Sequence, residues 1–334
     1  MLMIKKQKNI LFGSCYTMTN LNHRSFICGL SGPKLLYSEI KFLKKYKPWG
    51  VILFSRNVKT IKQTQILTQS IKNIFNNNNY PILIDEEGGR ISRLRKFIDS
   101  SIFSAKYFGD LFSKDRKKFN CYYDVYIKQI SYLLRLLGIN INTVPVLDLR
   151  RDSGHNIIGD RSYSNNIKVI SKVSDICIHN FHKNRIATVI KHIPGHGLSK
   201  VDSHKKLPII NKNLTYLLKN DFKLFKNKNS LFSMTGHLLF TKIDKLNTST
   251  HSKKIINIIR KSIGFKNIII TDDLSMKALK YTIEDNTKKS FEAGCNLALH
   301  CNGNLNQMIK VAKNSPKISK FIFKKTSQFI DIIS

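Results

Sequence analysis

The stretch NIIITDDLSMKAL, residues 267–279, passes from three consecutive isoleucines through one threonine into two adjacent carboxylates. β-Branched residues without polar alternation describe a strand buried on both faces, the condition of a parallel sheet covered by helices. Such a strand has a polarity: one end is core and the other carries chemistry. Read alone, Asp273 caps a helix beginning near Leu274. A second carboxylate beside it is harder to place, because charge next to a buried strand needs compensation. That leaves Asp272 pointing out of the strand end.

The same pattern recurs along the chain. Short apolar runs at 26–30, 51–54, 82–84, 141–146, 187–190, 231–234, 267–270 and 297–300 make eight candidate strands. Segments of helical period lie between most of them, such as YDVYIKQISYLLRLLG (123–138) and SKKIINIIRKSIG (252–264). Eight strand–helix units in about 300 residues predict one (β/α)8 barrel. Polar groups follow seven of the strands: Arg56 and Asn57, Asp85 to Glu87, Asp148, Lys191 and His192, His237, Asp272 and Asp273, Cys301 and Asn302. In a barrel these ends converge on one mouth, whereas a doubly wound sheet gathers them only at its switch point. The expected organisation is therefore one barrel domain over residues 1–334. Residues 1–24 read as a poorly ordered N-terminal extension and residues 303–334 as a C-terminal helical segment.

Composition narrows the function. The net charge of +36 suggests a nucleic-acid binder, but it comes from 45 Lys against only 12 Arg. Specific nucleic-acid contacts favour the arginine fork. The lysines are also dispersed, and Asn and Ile, which share A- and T-rich codons, are similarly abundant, so no nucleic-acid partner is expected. The six cysteines form no CxxC pair, which reads as reduced thiols in a cytoplasmic protein. The apolar part of the N-terminus is too short for a signal h-region and no membrane span is expected.

Two further stretches carry chemistry. LIDEEGGRISRLR (83–95) sets three acids, two glycines and three arginines after the third strand. An Asp and an Arg from one turn can grip neighbouring hydroxyls, as sugar sites do; a structural ion pair uses the same residues. KHIPGHGLSKVDSHKKLP (191–208) holds His192, His196, His204 and Asp202 where Pro194, Gly195 and Gly197 predict a loop. Its spacing fits no familiar zinc motif, so no metal is expected. No helix opens at its glycines to hold a phosphate. A carboxylate beside a histidine makes a tunable proton carrier, and no GxSxG elbow supplies a triad nucleophile.

Taken together, KHIPGHG and DSH, IDEEGGRISRL, VPVLDL, IGDRSYS, MTGH and TDDLSM resemble glycoside hydrolase family 3, in order from about residue 26 to 302. In particular they resemble its single-domain β-N-acetylhexosaminidases of bacterial cell-wall recycling. The resemblance implies a retaining exo-β-N-acetylglucosaminidase of the cytoplasm that acts, without a cofactor, on muropeptides of the GlcNAc–anhydroMurNAc type. Asp272 matches the nucleophile, His204 the general acid/base and Asp202 its dyad partner. Asp85, Arg93, Arg161, Lys191 and His192 match residues that hold the N-acetylglucosamine ring. The expected partner is a small-molecule substrate and the expected state a monomer. Ile193, Gly236 and Asn296 stand where the family usually has Phe, Ala and Asp, the last of which could loosen a buried polar contact. A catalytically dead carbohydrate-binding relative would be expected to lose Asp272 or His204, and a polyanion-binding protein would rest on the charge alone.

Overall fold

The computed structural model describes residues 21–151, 158–203 and 205–334. Eight strands close a parallel barrel: β1 (Arg24–Gly29), β2 (Pro48–Leu53), β3 (Ile82–Ile84), β4 (Ile141–Asn142), β5 (Ala187–Ile193), β7 (Phe232–Thr235), β9 (Ile268–Asp273) and β10 (Leu297–His300). All eight expected strands are present. The ends differ most at β4, which stops at Asn142 and not at residue 146; β5 in turn extends past Ile190 because Lys191 and Ile193 pair with Met234 and Thr235. Lys191 to Ile193, expected to open the loop, therefore belong to the barrel. Two strands not among the expected eight, β6 (Ile209–Ile210) and β8 (Leu239–Phe240), form a separate two-stranded parallel sheet. Two residues are too few to carry a periodic signal.

Alternation along the strands sorts the core into two layers. Ile27, Ile52, Leu83, Ile141, Val189, Met234, Ile268, Ile270 and Leu299 point inward and fill the barrel. Phe26, Cys28, Ile82, Ile84, Ile190, Ile269 and Ala298 point outward against the helices. Trp49 and Phe232, at the N-terminal ends of their strands, meet Phe329 of the helix Lys320–Ile333. The Trp49 indole N–H donates to Thr326 Oγ1 at 2.9 Å. This helix closes the barrel floor and leaves the opposite end open, while Leu305–Asn314, the other helix of residues 303–334, packs outside the barrel against β1 and β10. Of the expected N-terminal extension, residues 1–20 lie outside the described residues. His23 is already buried, and its carbonyl accepts the N–H of Ile318.

Candidate active site

The open end is a small, partly enclosed recess of about 150 Å³. Ile52, Met234 and Leu299 floor it, and Asp85, Arg93, Arg161, Lys191, His192 and Asp272 line its walls. These six of the eight expected site residues come from the ends of β3, β5 and β9 and from the loops after β3 and β4. Asp202 is described and half-buried; it adjoins Ser203, which also lines the recess. His204 lies outside the described residues.

Lys191 organises one wall. Its ammonium is 2% exposed, contacts Asp85 Oδ1, and reaches Glu87 Oε1 at 2.6 Å and Thr143 Oγ1 at 3.0 Å. Asp85 Oδ2 holds Arg93 at 2.9 Å, while Glu87 takes both forks of Arg161 at 2.8 Å each. Burial raises the Asp85 carboxyl, but the charges of Lys191 and Arg93 outweigh it and hold the group below the usual carboxylate range. Burial likewise opposes the Lys191 ammonium, and Asp85 and Glu87 outweigh it, so the lysine stays protonated. The result is a preformed array of three cations and two carboxylates, complementary to a polyhydroxylated ring.

Arg93 owes its place to a residue that sequence reading had grouped with the acids without a role. Glu86 is buried, and its Oε2 accepts the backbone N–H groups of Arg93 at 2.5 Å and Leu94 at 3.0 Å. The turn that brings Arg93 back to Asp85 needs Gly88, at φ +83°: a Cβ there would lie 2.4 Å from both the Phe103 carbonyl and the Tyr126 hydroxyl.

Across the recess, His192 Nδ1 meets Asp148 Oδ2 at 2.6 Å, and Asp148 Oδ1 accepts the His196 backbone N–H at 2.6 Å. Burial raises the Asp148 carboxyl, yet His192 and the His196 N–H outweigh it and keep it ionised. Sequence reading placed Asp148 at a strand end without assigning it a role. Its adjacency to a histidine-bearing strand exists only in the fold.

The two carboxylates that opened the sequence reading take different directions. Asp272 has inward parity on β9 and lines the recess, where its Oδ1 accepts the Asp273 N–H at 2.8 Å. Asp273 caps no helix near Leu274: residues 274–281 run as turns and the next helix, Ile283–Ala293, is capped by Thr282. The Asp273 carboxylate is instead occupied by the Ser275 N–H and hydroxyl at 3.1 and 2.8 Å and the Cys301 N–H at 3.1 Å. His237 spans Thr250 Oγ1 at 2.7 Å and the Asp273 carbonyl at 3.0 Å, bracing this strand end. Asn296 makes the polar contact its substitution put in question: its Oδ1 accepts from Ile269 N–H and Arg260 at 2.8 and 2.7 Å. Among the described residues, no group of three or more His, Cys, Asp or Glu is arranged to hold a metal ion. None of their helices is long and apolar enough to cross a membrane.

Residues 26–327 match the glycosyl hydrolase family 3 N terminal domain. The chain belongs to glycoside hydrolase family 3. A curated β-hexosaminidase of Haemophilus influenzae (strain ATCC 51907 / DSM 11121 / KW20 / Rd) is 30% identical over 292 residues, which span 83% of this chain and 79% of the relative. The solved structure of NagZ from Neisseria gonorrhoeae in complex with N-trifluoroacetyl-D-glucosamine is 25% identical at a TM-score of 0.80, covering 92% of this chain and 90% of that one. A family 3 β-N-acetylglucosaminidase from Paenibacillus sp. str. FPU-7 shares the fold, with a TM-score of 0.81 and 23% identity; the match covers 96% of this chain and 62% of that longer one. Family membership makes the chain a glycoside hydrolase.

Proposed function

We propose that the chain is a retaining exo-β-N-acetylglucosaminidase that releases terminal β-linked N-acetylglucosamine from muropeptides of the GlcNAc–anhydroMurNAc type. β-Hexosaminidase is the activity printed for the curated relative, and the gonococcal structure binds an N-acylglucosamine analogue; both support an amino-sugar substrate here. The observation that carries the reading is the convergence of Asp272 with Asp85, Arg93, Arg161, Lys191 and His192 in one closed-floored recess. A recess with a packed floor accepts a chain end rather than a chain middle, which favours exo cleavage.

In this reading the cation–carboxylate array and His192 grip the ring hydroxyls and the acetamido group. Asp272 attacks the anomeric carbon and the glycosidic C–O bond breaks, giving a covalent glycosyl-enzyme. His204, its basicity raised by Asp202, gives its proton to the departing oxygen. The resulting neutral imidazole then takes a proton from the water that releases the sugar from Asp272. The small-molecule substrate needs no cofactor, metal, membrane or nucleic-acid partner, and a single chain in the cytoplasm would suffice.

General acid catalysis matters most for a poor leaving group. His204→Ala should cut kcat/KM on a GlcNAc-linked disaccharide by roughly 10²–10⁴-fold, and on a dinitrophenyl glycoside far less. Equal losses on both substrates would contradict the assignment of His204.

A further inference from the structure

The loop after β5 divides into a fixed half and a working half. The fixed half is packed so closely that a Cβ on Gly197 would lie 2.2 Å from the Leu149 carbonyl oxygen, and the His196 N–H is held by Asp148. The working half carries Asp202, Ser203 and His204. Between them the His196 ring reaches forward: its Nε2 lies 3.2 Å from Ser203 Oγ, with His196 2% and Ser203 4% exposed. The Nδ1 atom of the same ring is buried and has no hydrogen-bond partner among the described residues. Burying an imidazole is costly unless its nitrogens are hydrogen-bonded, and the hydrogen bond this ring makes among the described residues is the one to Ser203.

We propose that His196 and Ser203 form a latch that sets the register of the catalytic loop, making both of them positioning residues for proton transfer. The inference rests on the reading of Asp202 and His204 as the acid/base pair. Ser203 lies between them in sequence, so fixing its hydroxyl limits how the peptide units on either side can turn. The latch is tied to sugar binding through Asp148, whose two oxygens hold His192 Nδ1 and the His196 N–H. One buried carboxylate thereby references the ring-holding wall and the proton-carrying loop to each other. Burial and the neighbouring His192 lower the His196 imidazole to about 4, so it is neutral near pH 7 and can pair with the hydroxyl in either tautomer.

A loss of registration should act on protonation and spare ring binding. The test compares full-length wild type, Ser203→Ala, Ser203→Thr and His204→Ala on aryl β-N-acetylglucosaminides of graded leaving-group acidity, with inhibition by free N-acetylglucosamine measured alongside. Ser203→Ala should lose on the order of tenfold in kcat/KM for the poorest leaving group and less than about twofold for dinitrophenol, the pattern of a weakened general acid. Its inhibition constant for N-acetylglucosamine should be unchanged. Ser203→Thr, which keeps the hydroxyl, should recover most of the loss. If Ser203→Ala loses nothing, or loses equally on all leaving groups while His204→Ala discriminates between them, the latch is overturned. If His204→Ala itself fails to discriminate, the acid/base reading falls first and the latch falls with it.

Discussion

Replacing Lys191 with methionine isolates the electrostatic centre of the recess. Methionine keeps most of the aliphatic stem's volume and removes only the ammonium, so cavity formation is a minor contribution. The wild-type array holds Lys191, Arg93 and Arg161 against Asp85 and Glu87. Without Lys191 each carboxylate still keeps one arginine: Arg93 on Asp85 at 2.9 Å and Arg161 on Glu87 at 2.8 Å. The loss therefore belongs at the low end of what breaking a buried pair costs, about 3 kcal/mol near neutral pH. At about 2 °C per kcal/mol for a chain of this size, Tm should fall by roughly 6 °C. The pH dependence has a definite sign. Burial raises the Asp85 carboxyl, and in the wild type Lys191 and Arg93 more than offset this, leaving its folded pKa below the unfolded value near 4. A carboxyl depressed in this way stabilises the fold above about pH 4 and loses that contribution as pH falls toward its folded pKa. In Lys191→Met, burial weighs more heavily, the carboxyl rises, and acid unfolding should begin at a higher pH. Thermal melts at pH 7.5 and an acid titration followed by circular dichroism measure both effects. A variant with wild-type Tm and an unmoved acid transition would refute the role given to this ammonium.

Two other perturbations probe the turn that delivers Arg93. Burial outweighs the Arg93 and Leu94 N–H groups and pushes the Glu86 carboxyl up to about 7, so the folded chain holds a proton that the unfolded chain has lost. Stability should therefore fall as pH rises between about 4.3 and 7, and Glu86→Gln should abolish that slope in urea titrations across this window. An unchanged slope would place the titration elsewhere. Gly88→Ala adds a left-handed penalty of about 1–2 kcal/mol to overpacking of about 1–3 kcal/mol against Phe103 and Tyr126. It should both lower Tm and raise KM by displacing Arg93; a raised KM with no loss of stability would contradict the packing argument.

The barrel was legible because eight apolar runs are buried on both faces, and burial on two faces leaves an apolar signature in one dimension. The β6–β8 pair left no such signature. The candidate site was legible where a strand end carries the side chain directly into the recess, as with Asp85, Lys191, His192 and Asp272. Glu87 and Asp148 were visible as acids, but their partners are distant in sequence: Arg161 and Lys191 for Glu87, and His192 on the adjacent strand for Asp148. Local sequence cannot show those pairings. DDLSMKAL misled for a related reason: its apolar spacing suits a helix, yet the Asp273 carboxylate that would have capped one accepts the N–H of Cys301, just past the neighbouring strand β10.

Asp272 as a covalent nucleophile on a terminal β-N-acetylglucosaminide is the centre of the account, and proton NMR of the first minutes of hydrolysis tests it most directly. Two displacements at the anomeric carbon restore the original configuration. The wild type should release β-N-acetylglucosamine first, with the α-anomer growing in only by mutarotation, and Asp272→Ala should lose several orders of magnitude in kcat. Initial release of the α-anomer, or an Asp272→Ala variant that still turns over at the wild-type rate, would contradict it.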